Sequence, residues 1–210
     1  MLLSLVLGSC GSGSGGSSSG SGGGSGSNYQ FLYDHNAFEL NGFTVRWAST
    51  NIKVYTAGIT GAETAVNRWA GPVSFTFVNS SPGDGITFSW TSSGGNTCGV
   101  ATTYFYNSGQ ISNVQVRIST NQTGCRGGLD NTLTHEAGHA LGFFGHTSDG
   151  GLMDPDGGNS NITTPVRNFM TLLYSQPYGW DIRSLLSSKI KSSAVIYQKN
   201  GTRIMSRVDY

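Results

Sequence analysis

The sequence predicts an α+β fold in which a strand and a helix precede four more strands, and two further helices follow the last of them. Three observations carry that prediction. Apolar and polar residues alternate in separate short runs, apolar residues recur at helical spacing in others, and turn-forming residues divide one run from the next.

The first strand is expected over Asn51 to Thr56, where Ile52 and Val54 face one side. Ile59, Ala62, Ala65, Val66 and Trp69 then recur at helical spacing until Gly71-Pro72 stops the pattern. Alternation returns in Val73, Phe75 and Phe77 and again in Ile86, Phe88 and Trp90, with the turn Ser81-Pro82-Gly83-Asp84-Gly85 between them. Val100 to Tyr106 and Ile111 to Ser119 flank Asn107-Ser108-Gly109 and predict a hairpin. A second helical pattern covers about Leu129 to Phe144 with Asp130 as its N-cap. A third carries Val166, Phe169, Met170 and Leu173 behind Pro165 at a helix start. Beyond Trp180, Ala194 to Gln198 and Arg203 to Val208 around Asn200-Gly201 suggest a terminal hairpin.

With 210 residues, 36% of them hydrophobic, the chain suits one packed domain plus a tail. A net charge of +1 with only 11% charged residues carries no electrostatic footprint for nucleic acid or an anionic membrane surface. A large polyanionic partner is therefore disfavoured, and a monomer is expected.

The chemistry concentrates in His135-Glu136-Ala137-Gly138-His139. On a helix, residues four apart differ by about 40° around the axis, so both imidazoles can reach one ion. Leu133, Ala137, Ala140, Leu141 and Phe144 fall on the opposite side, an apolar back for the core. Glu136 lies between the two faces, within reach of a water on the ion. Two histidines leave a tetrahedral zinc short of one protein ligand, besides the open position that catalysis needs. Gly142 can take a left-handed conformation and end the helix, turning the chain back to present His146. Asp149 is the competing third ligand, because zinc also accepts carboxylate oxygen. His35 has no partner at metal spacing and is expected at the surface. Asp149, Asp154 and Asp156 stand in a Gly-rich loop that could hold Ca2+ but lacks the twelve-residue calcium-loop spacing, so turn formation is their expected role.

HEAGHALGFFGH, residues 135–146, resembles the extended zinc signature of the metzincin metallopeptidases, and Gly151-Leu152-Met153-Asp154-Pro155 resembles their Met-turn. Thr44 to Phe77, with Trp47, Trp69 and Phe75, is similar to the opening of matrixin-type catalytic domains; the clear part of the match covers about Leu129 to Asp156. The resemblance implies a zincin-like mixed, twisted five-stranded sheet with two long helices, the active-site helix being followed by a Met-turn and a C-terminal helix. It implies a zinc-dependent endopeptidase with one catalytic Zn2+ on His135, His139 and His146, Glu136 as general base and Met153 as a structural floor. Extended substrate would add to an edge strand, Val100 to Tyr106 or its neighbour. In two places the chain departs from the pattern. The third histidine belongs at position 145, where Gly145 stands, so the loop must absorb one residue; Pro155 replaces the tyrosine that some relatives carry. Thr91 to Gly99, where matrixins hold a structural zinc, has no His or Asp, and no second zinc is expected. No segment resembles the family's cysteine-switch propeptide.

Residues 1–9 form a short apolar run, too short to span a bilayer, that reads as an export signal. Leu7-Gly8-Ser9-Cys10 resembles a bacterial lipobox, which implies cleavage before Cys10, its lipidation and a place at the cell envelope. A plain cleaved signal and secretion is the alternative. Assigning Cys10 to lipid leaves Cys98 and Cys125 for a disulfide, against two buried free thiols. Residues 11–27 are only Gly and Ser, a flexible tether with a span of roughly 20–25 Å. The expected organisation is signal 1–9, lipidated cysteine and linker 10–27, catalytic domain 28–182 and extension 183–210, touching the membrane only through the lipid. Two functions remain open: an active tethered endopeptidase, and a surface lipoprotein that uses a zinc-stabilised scaffold for adhesion or binding without turnover.

Overall fold

A computed structural model of the chain describes residues 25–92, 97–155 and 159–186, with side chains from Asn28 onward, and the backbone of 198–199 and 202–209. The export signal, Cys10, the linker to residue 24, Asp156, Ala194 and the Asn200-Gly201 turn lie outside the described residues. The element order is α1 (Ser25–His35), β1 (Arg46–Trp47), β2 (Asn51–Tyr55), α2 (Ala62–Asn67), β3 (Ser74–Phe77), β4 (Gly85–Thr91), β5 (Gly99–Tyr106), β6 (Gln110–Ser119), α3 (Gly128–Ala140), α4 (Thr164–Ser175), β7 (Gln198–Lys199) and β8 (Thr202–Asp209). Among the described residues no helix is long and apolar enough to cross a membrane.

The centre of the sheet runs β3-β2-β4-β6-β5. Its first four strands pair in parallel, and β5 pairs antiparallel with β6 through the predicted hairpin. A two-strand hairpin needs only a tight turn, whereas parallel neighbours need a crossover, which α2 supplies between β2 and β3. This mixed α/β arrangement is compatible with the α+β class. The sheet is larger than the five strands expected. β1 adds two residues beside the start of β6, and β8 lies antiparallel along β5 with β7 beyond it.

Three helices depart from expectation. The α2 helix is a six-residue turn and not a long helix, because Gly61 with φ +86° sets its start and Gly71 follows its end. Ile59 and Trp69 belong to its period but sit in the flanking turns, both buried. The α1 helix, absent from the sequence reading, begins inside the Gly/Ser run. Its apolar residues are too few to reveal a full period, and packing against α4 holds it, with Phe31 edge-on to Phe169 at 6.1 Å and Leu32 fully buried. The α3 helix starts after Gly127, so Asp130 is not the N-cap but a first-turn residue, where its charge suits the helix dipole and meets Arg68 at 3.3 Å. It stops at Ala140, before the expected Phe144.

The core forms where α3 packs beneath β5 and β6 and against α2. Leu133, Ala137, Ala140, Leu141 and Phe144, the predicted apolar back, are all buried. Buried donors hold this helix in place: Trp69 Nε1 donates to the Thr134 carbonyl at 2.8 Å, Trp47 Nε1 to Ala140 at 2.9 Å and Tyr174 Oη to Leu141 at 2.9 Å. Cys98 and Cys125 are joined across a separation of 27 residues, tying the start of β5 to the loop before α3. Loop closure of that size disfavours the unfolded chain by about 3.5 kcal/mol in the chain-entropy model.

Candidate metal centre

His135 and His139 leave the same face of α3, and a backbone carbonyl orients each. His135 Nδ1 lies 2.6 Å from the Leu152 carbonyl oxygen and His139 Nδ1 lies 2.5 Å from that of Phe143. A carbonyl only accepts, so each Nδ1 donates to it, and Nε2 is the ring nitrogen left to face the other histidines. The Nε2 atoms of His135 and His139 are 3.0 Å apart, and those of His135 and His146 are 3.2 Å apart. Nitrogens held about 2.05 Å from a tetrahedral zinc would stand roughly 3.3 Å from one another, so the spacing fits. The three histidines form a group that could hold a metal ion, and neutral imidazoles suit zinc among other transition metals.

His146 reaches this group through a loop held by α1. Gly142, at φ +101°, turns the chain out of the helix. The Phe144 N–H then donates to the His35 carbonyl at 2.6 Å, and the His35 ring reaches the His146 carbonyl at 3.1 Å through Nε2 and the Phe31 carbonyl at 2.9 Å through Nδ1. The ring itself lies between Phe31 and Phe143, with centroids 4.1 and 4.8 Å away. His35 is therefore a half-buried support of the third histidine and not the surface residue expected. The same contact explains the glycine that precedes His146. A Cβ at Gly145 would fall 2.5 Å from His35 Cδ2, so glycine is needed for close approach and not for a positive φ. Phe31 and His35 stand four apart, a helical stacking pair whose meaning depends on recognising α1. Replacing His35 with alanine is expected to weaken metal binding about tenfold, in the range seen when a supporting hydrogen bond is removed. Chelator competition with an unchanged far-ultraviolet spectrum checks it, and His35→Gln, which keeps a donor, should recover part of the loss.

Asp149 lies outside the histidine group. It accepts hydrogen bonds from Thr163 Oγ1 at 2.6 Å, Thr147 Oγ1 at 2.8 Å and the Gly151 N–H at 3.0 Å. Partial burial works to raise its pKa, but these bonds outweigh that and hold the carboxyl below its ordinary value. Its role here is to shape the loop, as Asp154 does by accepting the Gly150 N–H at 2.8 Å. Thr147 N–H closes the loop onto the Met153 carbonyl at 2.9 Å. The Met153 side chain is buried against α3: a Cβ on Gly138 would stand 2.8 Å from its Sδ and 2.6 Å from Trp69 Cζ2. Thioether and indole thus press on the helix backbone between the two histidines, and only glycine admits both.

Glu136, next to His135 on the helix, is fully buried beneath the start of β5. A Cβ on Gly99 would collide with Glu136 Oε1, so the first residue of β5 rests directly on the carboxylate. The disulfide at Cys98 adjoins that contact. No protein-family model and no curated protein matches the chain.

Proposed function

We propose that the chain is a zinc-dependent endopeptidase of metzincin type that hydrolyses extended polypeptide, with Glu136 as general base. The observation that carries the reading is the convergence of His135, His139 and His146 at zinc spacing beside a buried carboxylate on the same helix turn. The Met153 floor, the Met-turn resemblance and the strand that begins on Glu136 support it.

Zinc bound by these histidines would supply a Lewis acid and bring the pKa of a coordinated water toward ~7. Glu136 takes a proton from the attacking water and returns it to the leaving amine. His135 and His139 stay oriented because the Leu152 and Phe143 carbonyls hold their Nδ1 hydrogens, so neither needs to reorganise during turnover. Lipidation of Cys10 would tether this activity to a cell-envelope membrane.

A scaffold that only holds a metal for adhesion has no need of Glu136, a carboxylate beside His135 that is not one of the three histidines grouped for the ion. Purified protein is expected to contain one zinc per chain and to cleave unstructured casein, with activity lost on chelation and restored by stoichiometric zinc. Zinc binding without cleavage of casein or other unfolded proteins would reject the peptidase in favour of the binding scaffold.

A further inference from the structure

The outer edge of β5 begins at Glu136, because Gly99 rests on that carboxylate. A polypeptide paired along this edge is led by its backbone hydrogen bonds to the metal centre, and the sequence leaves the edge open for it. The structure fills it. β8 pairs antiparallel with every residue of β5, from Tyr106↔Thr202 to Gly99↔Asp209. The strand therefore runs toward the metal centre, and its last residue, Asp209, stands opposite the glycine that covers Glu136. β7 pairs only with Thr202 and Arg203, at the end remote from the centre, so the described strands hold the rest of β8 through β5 alone.

Resting on the peptidase reading, we propose that β8 is a tethered competitor for the polypeptide-docking edge: residues 202–209 occupy it in cis, and unfolded polypeptide must displace them to reach Glu136. Pairing of this kind uses main-chain N–H and C=O groups, so it accepts an internal segment and a foreign peptide by the same rule. A segment tied to its own docking site competes intramolecularly, at an effective concentration that can reach the order of millimolar. A substrate present at micromolar concentration is then excluded unless it pairs better than Thr202–Asp209. Such a device restrains a peptidase that would otherwise attack any exposed chain end or loop.

The test uses the full chain with Ser206→Pro and Arg207→Pro together. N–H groups of adjacent strand residues point to opposite edges, so one of the two prolines removes a donor to β5 in any register. The expected result is unchanged zinc content and thermal midpoint with about a tenfold rise in kcat/KM for reduced, carboxymethylated casein, mostly through KM. A synthetic peptide of residues 198–210 should then inhibit the variant competitively. An unchanged or lower kcat/KM, or loss of zinc from the variant, would overturn the proposal and make β8 a structural strand. If neither chain cleaves casein the peptidase reading fails, and fluorescence anisotropy of the labelled 198–210 peptide decides the edge itself. Binding to the variant but not to the wild type sustains occupation in cis; equal binding, or none to either, overturns it.

Discussion

Glu136→Gln is expected to keep its zinc and to lose about 10²- to 10⁴-fold in kcat on casein, the span general-base catalysis supplies. Glutamine matches the volume of glutamate, which matters because the side chain is fully buried beneath Gly99 and a truncation would leave a cavity. The three histidines, their backbone acceptors and the Met153 floor remain as they were, so metal content is the control that separates lost chemistry from lost structure. Single-turnover cleavage at saturating zinc is the measurement. A variant that retains the wild-type rate would remove Glu136 from the mechanism.

His146→Ala is expected to weaken zinc binding by more than the roughly 100-fold that removal of a supporting partner reaches, because it deletes a donor atom and not its support. Asp149→Asn is expected to hold zinc normally and to lower the thermal midpoint. The carboxylate of Asp149 serves Thr163, Thr147 and Gly151, not the histidine group. The Asp149 substitution carries a pH dependence as well. With its pKa held down in the fold, Asp149 lends stability that is present above the unfolded carboxyl value of about 3.9 and is lost as pH falls through the folded value. The gap in thermal midpoint between wild type and Asp149→Asn should therefore narrow below about pH 4, with exposure of the side chain keeping the effect modest. Zinc titration decides the ligand: loss with Asp149→Asn and retention with His146→Ala would transfer the third position to Asp149.

Much of the site is legible before any folding is considered because it is local. His135, Glu136 and His139 lie within five residues, and helical geometry alone dictates which of them share a face. The apolar back of α3 and the hairpin of β5 and β6 are legible for the same reason, since their periods repeat within one element. The length of α2 was not. Its apolar period continues through Ile59 and Trp69, but those residues reach the core from turns, and burial makes no distinction between helix and turn. The α1 helix was hidden because its order comes from α4 and the loop it supports, not from its own composition.

What the sequence determined by itself was two histidines on one helical face, a carboxylate between faces, and two candidates for the third position, His146 one residue beyond a glycine and Asp149; the tertiary structure brought His146 to the pair. Only the tertiary structure decided that His35 holds the His146 loop, that Gly145 is demanded by an imidazole lying against it, that Gly99 rests on Glu136 and that β8 covers the edge of β5. Each of these joins residues distant along the chain, where periodicity carries no information and close approach between backbone and side chain is the deciding quantity.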